Sequence, residues 1–198
     1  MKKNKIFNLY SLFMVVALFI NGTTLNTAEE TNDIIKYHPS EYKNTCFLPY
    51  KWDEKGNTWV LLGLEKRTSG YVWFDFCGKK NRKDSDSWQT ALREASEETA
   101  GQLQFREGPA LTDKQHDTVH YIARIQNIDP YFIEQAAEQL HARNKGKHIE
   151  KTEWRWVKLD DFINGTSELS IYWLLNKKLK NPIIASFLEY LIKIGKSN

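Results

Sequence analysis

The chain has 198 residues, 41% of them hydrophobic and 27% charged, and a formal net charge of +3 at pH 7. This composition excludes disordered and fibrous classes and supplies enough apolar residues for a globular core. Residues 1–28 hold three lysines and no acid, so the rest of the chain has 25 basic and 25 acidic residues. Because that part carries no net charge, we expect no nucleic acid and no anionic membrane as its partner.

The first 28 residues have the layout of a secretory leader. Lys2, Lys3 and Lys5 precede a largely apolar run over residues 6–20, and small and polar residues follow it. The run is shorter than the ~20 residues that a membrane-spanning helix needs. A signal peptide and an uncleaved N-terminal anchor both stay open, so we expect an exported protein, periplasmic or secreted, or one held at the membrane by this segment.

Residues 29–44 are polar and irregular, which predicts a linker or arm, and residues 45–198 suit a single domain. The domain contains two cysteines, Cys46 and Cys77. After export both would meet oxidising conditions and could pair. Two cysteines do not make a disulfide framework, so unpaired thiols stay open as well.

Three runs rich in β-forming residues open the domain, over residues 45–50, 58–65 and 71–76. Residues 53–57 predict the turn between the first two runs. The third run leads directly into Gly78 and the stretch described next.

A helix start and a helix stop frame an acidic stretch. Asp86 is placed as an N-cap with Gln89 three residues later, and Gly101 stands where a C-terminal cap belongs. At ~100° per residue, one arc of this helix gathers packing residues and another gathers acids. The packing arc comprises Trp88, Ala91, Leu92, Ala95 and Thr99, and the acidic arc comprises Glu94, Glu97 and Glu98.

The acidic arc predicts a metal site. Like charges three and four residues apart on a helix repel by a few tenths of a kcal/mol per pair. A hard divalent cation such as Mg²⁺ removes this repulsion because it prefers oxygen ligands. A solvated acidic face, relieved by Arg93 and the lysines of residues 79–83, is the alternative.

Later elements alternate strand and helix. Residues 118–125 and 153–159 predict strands. Asp129 and Pro130 predict the start of a helix with a packing stripe of Phe132, Ile133, Ala136, Ala137 and Leu140. Two closing helices follow, and the last opens at Asn181–Pro182 and buries Ile184, Phe187, Leu188 and Leu191.

The stretch from Gly78 through Arg93-Glu94-Ala95-Ser96-Glu97-Glu98 resembles the Nudix box. That pattern is Gly, five residues, Glu, seven residues, then Arg-Glu-apolar-X-Glu-Glu-X-Gly-apolar. Here the sixth position after Gly78 is Asp84, and eight residues separate it from Arg93. Asp86 is the other acid that could pair with Arg93.

The box departs from the pattern at its end as well. Ala100 replaces its last Gly, although Gly101 follows at once.

The resemblance implies a Nudix-type α/β/α sandwich around a mixed β-sheet, and a site that binds Mg²⁺ or Mn²⁺. Glu97 and Glu98 would be the main metal ligands, with the Gly78 carbonyl and Glu94 completing the site. Glu94 could also act as the base that takes a proton from water, while Arg93 would orient a carboxylate through a bidentate pair.

Residues outside the box could complete the site. Glu150 and Glu153 are the candidates for a further catalytic acid, and Arg67 could touch a substrate phosphate. The implied reaction is metal-dependent hydrolysis of a pyrophosphate bond in a nucleoside diphosphate linked to another group. A catalytically weak fold that binds a nucleotide or a protein is the alternative. Family members are often dimers, so a homodimer is compatible with the resemblance.

Overall fold

The computed structural model describes residues 41–68, 70–104, 111–115, 117–143, 150–171, 175 and 180–197. The predicted leader and most of the predicted linker lie outside these residues. Within them, no helix combines the length and the apolar character that a membrane span requires.

The described residues contain one seven-stranded sheet. Its strands are β1 (Asn44–Trp52), β2 (Thr58–Arg67), β3 (Gly70–Phe74), β4 (Phe76–Lys79), β5 (Leu111–Gln115), β6 (Thr118–Arg124) and β7 (Lys151–Lys158). Among these seven strands only β1 and β6 pair in parallel, and their other pairs are antiparallel. The sheet is therefore mixed, as predicted.

The central strands β1 and β2 each have two partners along one edge. β1 pairs with β4 over residues 44–47 and with β2 over residues 50–52, while its other edge pairs with β6. β2 pairs with β1 and β3 on one edge and with β7 on the other. The predicted run over residues 71–76 is therefore two strands, because the chain leaves β2 and joins β1 at Asp75.

Among the described residues, four helices cover the sheet: α1 (Ser87–Glu98), α2 (Pro130–Arg143), α3 (Leu159–Ile163) and α4 (Pro182–Gly195). One core cluster packs α1 and α2 on one face, and a second packs α3 and α4 on the other. Helices on both faces confirm the predicted α/β/α sandwich. The apolar area buried in these two clusters is the main contribution to the stability of the fold.

The capping residues read from the sequence set where the helices begin. Asp86 accepts the backbone N–H of Gln89 at 2.9 Å, so α1 begins as predicted. Asn181 accepts the N–H of Ile183 at 2.8 Å and opens α4. Asp129 accepts the N–H of Tyr131 at 3.1 Å ahead of α2.

The end of α1 explains the glycine of the family pattern. Ala100 has φ +52° and Gly101 has φ +75°, and the Gly101 N–H donates to the Ser96 carbonyl at 2.7 Å. This is a Schellman-type end, which favours a left-handed residue directly after the cap. Ala100 adopts that conformation at a cost of roughly 1–2 kcal/mol, which glycine would not incur.

One sequence expectation about burial was wrong, and one strand was missed. Phe132 was expected in the packing stripe of α2 but is 58% exposed, and Ile133 and Ala137 are the buried residues of that helix. Strand β5 was not predicted at all. It lies at an edge of the sheet, where one side has no strand partner within the described part of the chain and an apolar alternation is not required.

The two cysteines are joined. Cys46 of β1 lies directly opposite Cys77 of β4 in the antiparallel pair, and a disulfide bond connects them. The bond ties the strand that carries Gly78 to the centre of the sheet. Tyr42, which the sequence assigned to the linker, is also part of the domain, since its buried hydroxyl bonds to Thr90 of α1 at 2.7 Å.

The turn between β1 and β2 contacts the end of α4 backbone to backbone. A methyl group added at Gly56 would lie 1.8 Å from the Gly195 carbonyl oxygen, and one added at Gly195 would lie 2.3 Å from the Gly56 carbonyl oxygen. The Leu191 carbonyl of α4 accepts the Trp52 indole N–H and the Thr58 hydroxyl, both at 3.1 Å.

Candidate active site

Asp84 is the acid that pairs with Arg93. The Arg93 guanidinium donates from Nε to Asp84 Oδ1 at 3.1 Å and from Nη2 to Asp84 Oδ2 at 3.0 Å. Thr90 and the backbone N–H of Asn81 also donate to this carboxylate, at 2.7 Å and 2.8 Å. Since Asp86 is occupied as the cap of α1, the alternative left open by the sequence is resolved in favour of Asp84.

The loop before α1 explains why a shorter acid at a changed spacing still reaches Arg93. Asn81 and Asp84 close a turn on themselves, with the Asp84 N–H donating to the Asn81 carbonyl at 3.1 Å. This turn brings the Asp84 carboxylate back to α1. The hydrogen bond from Arg93 lowers the pKa of Asp84 to about 2, so the pair is ionised at neutral pH.

Arg93 has further partners that fix its orientation. Its Nη2 donates to the Lys79 carbonyl at 2.8 Å, and its Nη1 lies 2.8 Å from Glu94 Oε1 and 3.1 Å from Glu97 Oε2. All three guanidinium nitrogens are therefore bonded, and Arg93 links the loop to α1.

Gly78 and Glu94 are in direct contact. A Cβ built at Gly78 would lie 1.7 Å from the Glu94 carboxyl carbon, so the position accepts no side chain while Glu94 stays in place. The Glu94 side chain is half-buried, and burial raises the pKa of its carboxyl although Arg93 opposes the shift. The structure thus places the Glu94 carboxylate against Gly78 of β4, whose carbonyl is a predicted metal ligand.

Glu98 is buried rather than displayed. Its residue exposure is 5%, and Oε2 has no hydrogen-bond partner among the described residues. It lies three residues after Ala95 and seven after Ala91, both fully packed, which places it at the border of the packed face. Burial raises the pKa of Glu98 to about 8, against the opposing charge of Lys151.

Two residues that the sequence analysis did not single out stand beside Glu98. The side chain of Lys151, at the start of β7, is fully buried, and its Nζ lies 3.7 Å from Glu98 Oε2. The same ammonium donates to Glu65 Oε2 at 3.1 Å and to the Asp75 carbonyl at 3.0 Å. Opposite charges on Lys151 of β7 and Glu65 of β2 could have indicated this contact, but the sequence does not show which strands pair.

Other predicted site residues lie apart from this cluster. Glu97 is 61% exposed at its side chain and bonds to Arg93. Glu153 pairs across β2 with Leu64, which packs on the α3 and α4 face, so it points away from Glu98 and bonds to Arg155 at 2.7 Å. Glu153 therefore lies apart from the central acids, and its expected role as a further catalytic acid stays a prediction.

Glu150 and Arg67 lie at the margin of the cluster. Glu150 is exposed, yet its negative charge raises the pKa of both Glu94 and Glu98. Arg67 is 38% exposed at its side chain and bonds to the Glu65 carboxylate, from Nε at 2.8 Å and from Nη2 at 2.9 Å.

The family of the chain follows from a match over most of this domain. A family model described as NUDIX domain matches residues 45–175, which include α1, the residues around Glu98 and all seven strands except the first residue of β1. The chain belongs to the Nudix family. The acidic helix α1 is thus its Nudix helix, and Asp84 stands where the Nudix pattern has glutamate.

Solved structures of Nudix proteins are among the similar folds. A Nudix hydrolase from M. smegmatis, RenU, is 16% identical, with 80% of this chain and 88% of that chain covered at a TM-score of 0.44. A structure from work on MutT of Aliivibrio salmonicida and Vibrio cholerae is 14% identical, covering 75% and 97% at a TM-score of 0.44.

Shewanella oneidensis NrtR is 17% identical, covering 65% of this chain at a TM-score of 0.35. The chain spans only 56% of the NrtR chain. A comparison with curated proteins found no match. The family assignment therefore rests on the matched residues 45–175.

The Nudix family generally uses divalent metals, and the residues present fit such an ion. Glu98 offers a buried carboxylate oxygen that accepts no hydrogen bond from the described residues, and Glu94 lies against Gly78, whose missing side chain leaves room there. Carboxylate and carbonyl oxygens are the ligands that Mg²⁺ and Mn²⁺ prefer.

Proposed function

We propose that this Nudix protein is a Mg²⁺- or Mn²⁺-dependent hydrolase of a pyrophosphate bond in a nucleoside diphosphate linked to another group. The observation that carries the proposal is the buried Oε2 of Glu98, which has no hydrogen-bond partner among the described residues. A buried polar atom without a partner is rare in native proteins because it costs about 1–3 kcal/mol. A bound cation would remove that cost.

Glu98, Glu94 and the Gly78 carbonyl would hold the ion. When bound, a divalent cation neutralises phosphate charge and polarises the phosphoryl oxygens. Glu98 must be ionised to act as a ligand, so cation binding and proton release from this carboxyl are coupled. Glu97, the other ligand expected from the resemblance, is turned to solvent and would act from the outer edge of the site.

Arg93 and Asp84 would hold the Nudix helix in position. Their bidentate pair joins the loop after Gly78 to the middle of α1, so the Gly78 carbonyl and Glu94 keep a fixed relation. Glu94 is half-buried next to that carbonyl and has a raised pKa, which suits a base that takes a proton from the attacking water.

Two residues at the margin complete the proposal. Glu150, whose charge acts on both Glu94 and Glu98, is the stronger of the two acids named from the sequence as a catalytic supplement. Arg67 is exposed enough to contact a substrate phosphate, although Glu65 holds it at present. The substrate is of nucleotide type, as the family suggests.

We also propose that the protein is exported. The leader-like residues 1–28 are the main support. The disulfide between Cys46 and Cys77 agrees with it, since such bonds persist mainly in oxidising compartments. Detection of the protein and of its N-terminus in cell fractions would test this directly.

The activity is tested by nucleotide and phosphate release from ADP-ribose, NADH, dinucleoside polyphosphates and nucleoside triphosphates, with Mg²⁺, Mn²⁺ or a chelator. We expect metal-dependent turnover that falls more than about 100-fold in Glu98→Gln, because the main ion ligand is lost. Glu97→Gln is the matched control on the same helix, and we expect it to lose less than about tenfold. No turnover on any compound, with nucleotide binding still measurable, would favour the alternative of a binding module.

A further inference from the structure

Lys151 is an unusual residue to find beside a metal site, because its charge is buried without access to water. The side chain has no exposed surface, and the ammonium lies between Glu65, Glu98 and the Asp75 carbonyl. The rings of Phe74 and Phe76 flank it at 5.3 Å and 5.7 Å from their centroids. Burying a charge in this way requires partners that compensate for the lost hydration.

The neighbouring strand is shaped to admit this side chain. A Cβ added at Gly63 of β2 would lie 2.6 Å from Cδ and 2.9 Å from Cγ of Lys151. Gly63 is in mid-strand, where glycine is unfavourable by itself. Gly63 thus weakens the strand locally, but its missing side chain leaves the space through which the aliphatic part of Lys151 reaches Glu98.

The ammonium faces Glu98 without hydrogen bonding to it. An ammonium has three N–H donors, and two of them serve Glu65 Oε2 and the Asp75 carbonyl. Glu98 Oε2 lies 3.7 Å from Nζ, beyond the ordinary hydrogen-bond distance of about 3.2 Å. The Lys151 ammonium therefore lies on the side of Glu98 that faces the protein interior, which we call its inner side. Glu98 Oε2 accepts no hydrogen bond from it and can still bind a metal ion.

We infer that Lys151 is a positioning residue that takes the place of a second metal ion, so that the site binds one divalent cation. This inference rests on the proposed metal site. Two-metal sites place their ions about 3.5–4 Å apart around shared carboxylates. On the inner side of Glu98, a second ion would be pressed against the Lys151 ammonium in a space without water to screen the repulsion.

The experiment counts Mn²⁺ ions on the full chain by electron paramagnetic resonance of free Mn²⁺ and by calorimetry. We expect one ion per chain that requires Glu98, and two ions in Lys151→Met, whose apolar stem has similar length and keeps to the space beside Gly63. Lys196→Met, which removes an exposed lysine paired with Asp160, is the matched control and should keep one ion.

Several outcomes would overturn the inference. Two or more ions bound to the unchanged chain, all of them lost in Glu98→Gln, would contradict it whatever Lys151→Met shows. A single ion in Lys151→Met, with a native circular dichroism spectrum, would also do so. If that variant does not fold, Lys151→Gln is used instead, because it removes the charge while its amide can still donate hydrogen bonds to Glu65 and the Asp75 carbonyl, and an unchanged count of one again contradicts the inference.

The same data separate this inference from the proposed function. No Glu98-dependent Mn²⁺ binding would refute both. Two ions with metal-dependent turnover would refute the single-ion inference alone. One ion without turnover on any compound would leave the role of Lys151 standing and refute the hydrolase.

Discussion

The two sides of the Nudix helix treat charge in opposite ways. On one side Arg93 and Asp84 satisfy each other with two hydrogen bonds, and the loop supplies further donors and acceptors. On the other side Glu98 is buried, and its Oε2 accepts no hydrogen bond from the described residues. The Lys151 ammonium lies 3.7 Å from this oxygen. The Arg93–Asp84 pair holds the helix in place, whereas Glu98 keeps an oxygen that a cation can bind.

This difference shows in the pKa values. Hydrogen bonds lower the pKa of Asp84 to about 2, and burial raises that of Glu98 to about 8. Two acids of one motif are therefore perturbed in opposite directions, and their effects on stability must have opposite dependence on pH.

The largest effect is expected from Glu98 in the metal-free protein. Because its folded pKa exceeds the unfolded value of about 4.5, the folded state binds more protons between these values, and stability falls as pH rises from 4.5 to about 8. One group contributes up to about 1.4 kcal/mol per pH unit. Urea unfolding of wild type and Glu98→Gln should agree near pH 4.5 and diverge above it, with the variant more stable. Parallel curves would show that Glu98 is not perturbed.

Removing Arg93 should destabilise the fold by about 3 kcal/mol, since the nearly buried Asp84 carboxylate then loses its charged partner. Urea unfolding of Arg93→Ala at pH 7 measures this. The control is Arg155→Ala, which breaks an exposed pair with Glu153 and should cost under about 1 kcal/mol. Equal losses in the two variants would mean that Arg93 is not a structural link.

A smaller loss of about 1–2 kcal/mol is expected for Asp84→Asn at pH 7, because the hydrogen bonds from Arg93 lose their charge assistance. A folded pKa below the unfolded value of 3.8 stabilises above pH 3.8, and this contribution disappears as pH falls to about 2. The two proteins should therefore converge in acid. A difference that persists at pH 2 would point to packing rather than charge.

The smallest effect concerns the end of the helix. Ala100→Gly should stabilise the protein by about 1 kcal/mol, because glycine adopts φ +52° without the steric cost that alanine bears. Ala91→Gly, in the buried middle of the same helix, should destabilise by at least about 1 kcal/mol. Thermal unfolding of both variants compares the signs, and a loss of stability in Ala100→Gly would contradict the account.

Features written in neighbouring residues could be predicted from the sequence. Asp86, Asp129 and Asn181 mark helix starts through contacts within three residues, so their roles needed no knowledge of the fold. The same holds for the helix that displays Arg93 and Glu94.

Features that depend on distant partners could not be predicted. The choice of Asp84 over Asp86 depends on how the loop after Gly78 turns back. The burial of Glu98 and the role of Lys151 depend on β7 lying beside β2, which are 86 residues apart at the Lys151 and Glu65 contact. Periodicity gave the face of the helix but not what covers it.

The contact between Gly56 and Gly195 fixes the lengthwise register of the last helix. Moving α4 by one residue would bring Ile194 or Lys196 onto the turn, where even a methyl group at the position of Gly195 would lie 2.3 Å from the Gly56 carbonyl oxygen. The same shift would take the Leu191 carbonyl away from the Trp52 indole and the Thr58 hydroxyl. The turn therefore sets the position, along its own axis, of a helix that lies more than a hundred residues further along the chain.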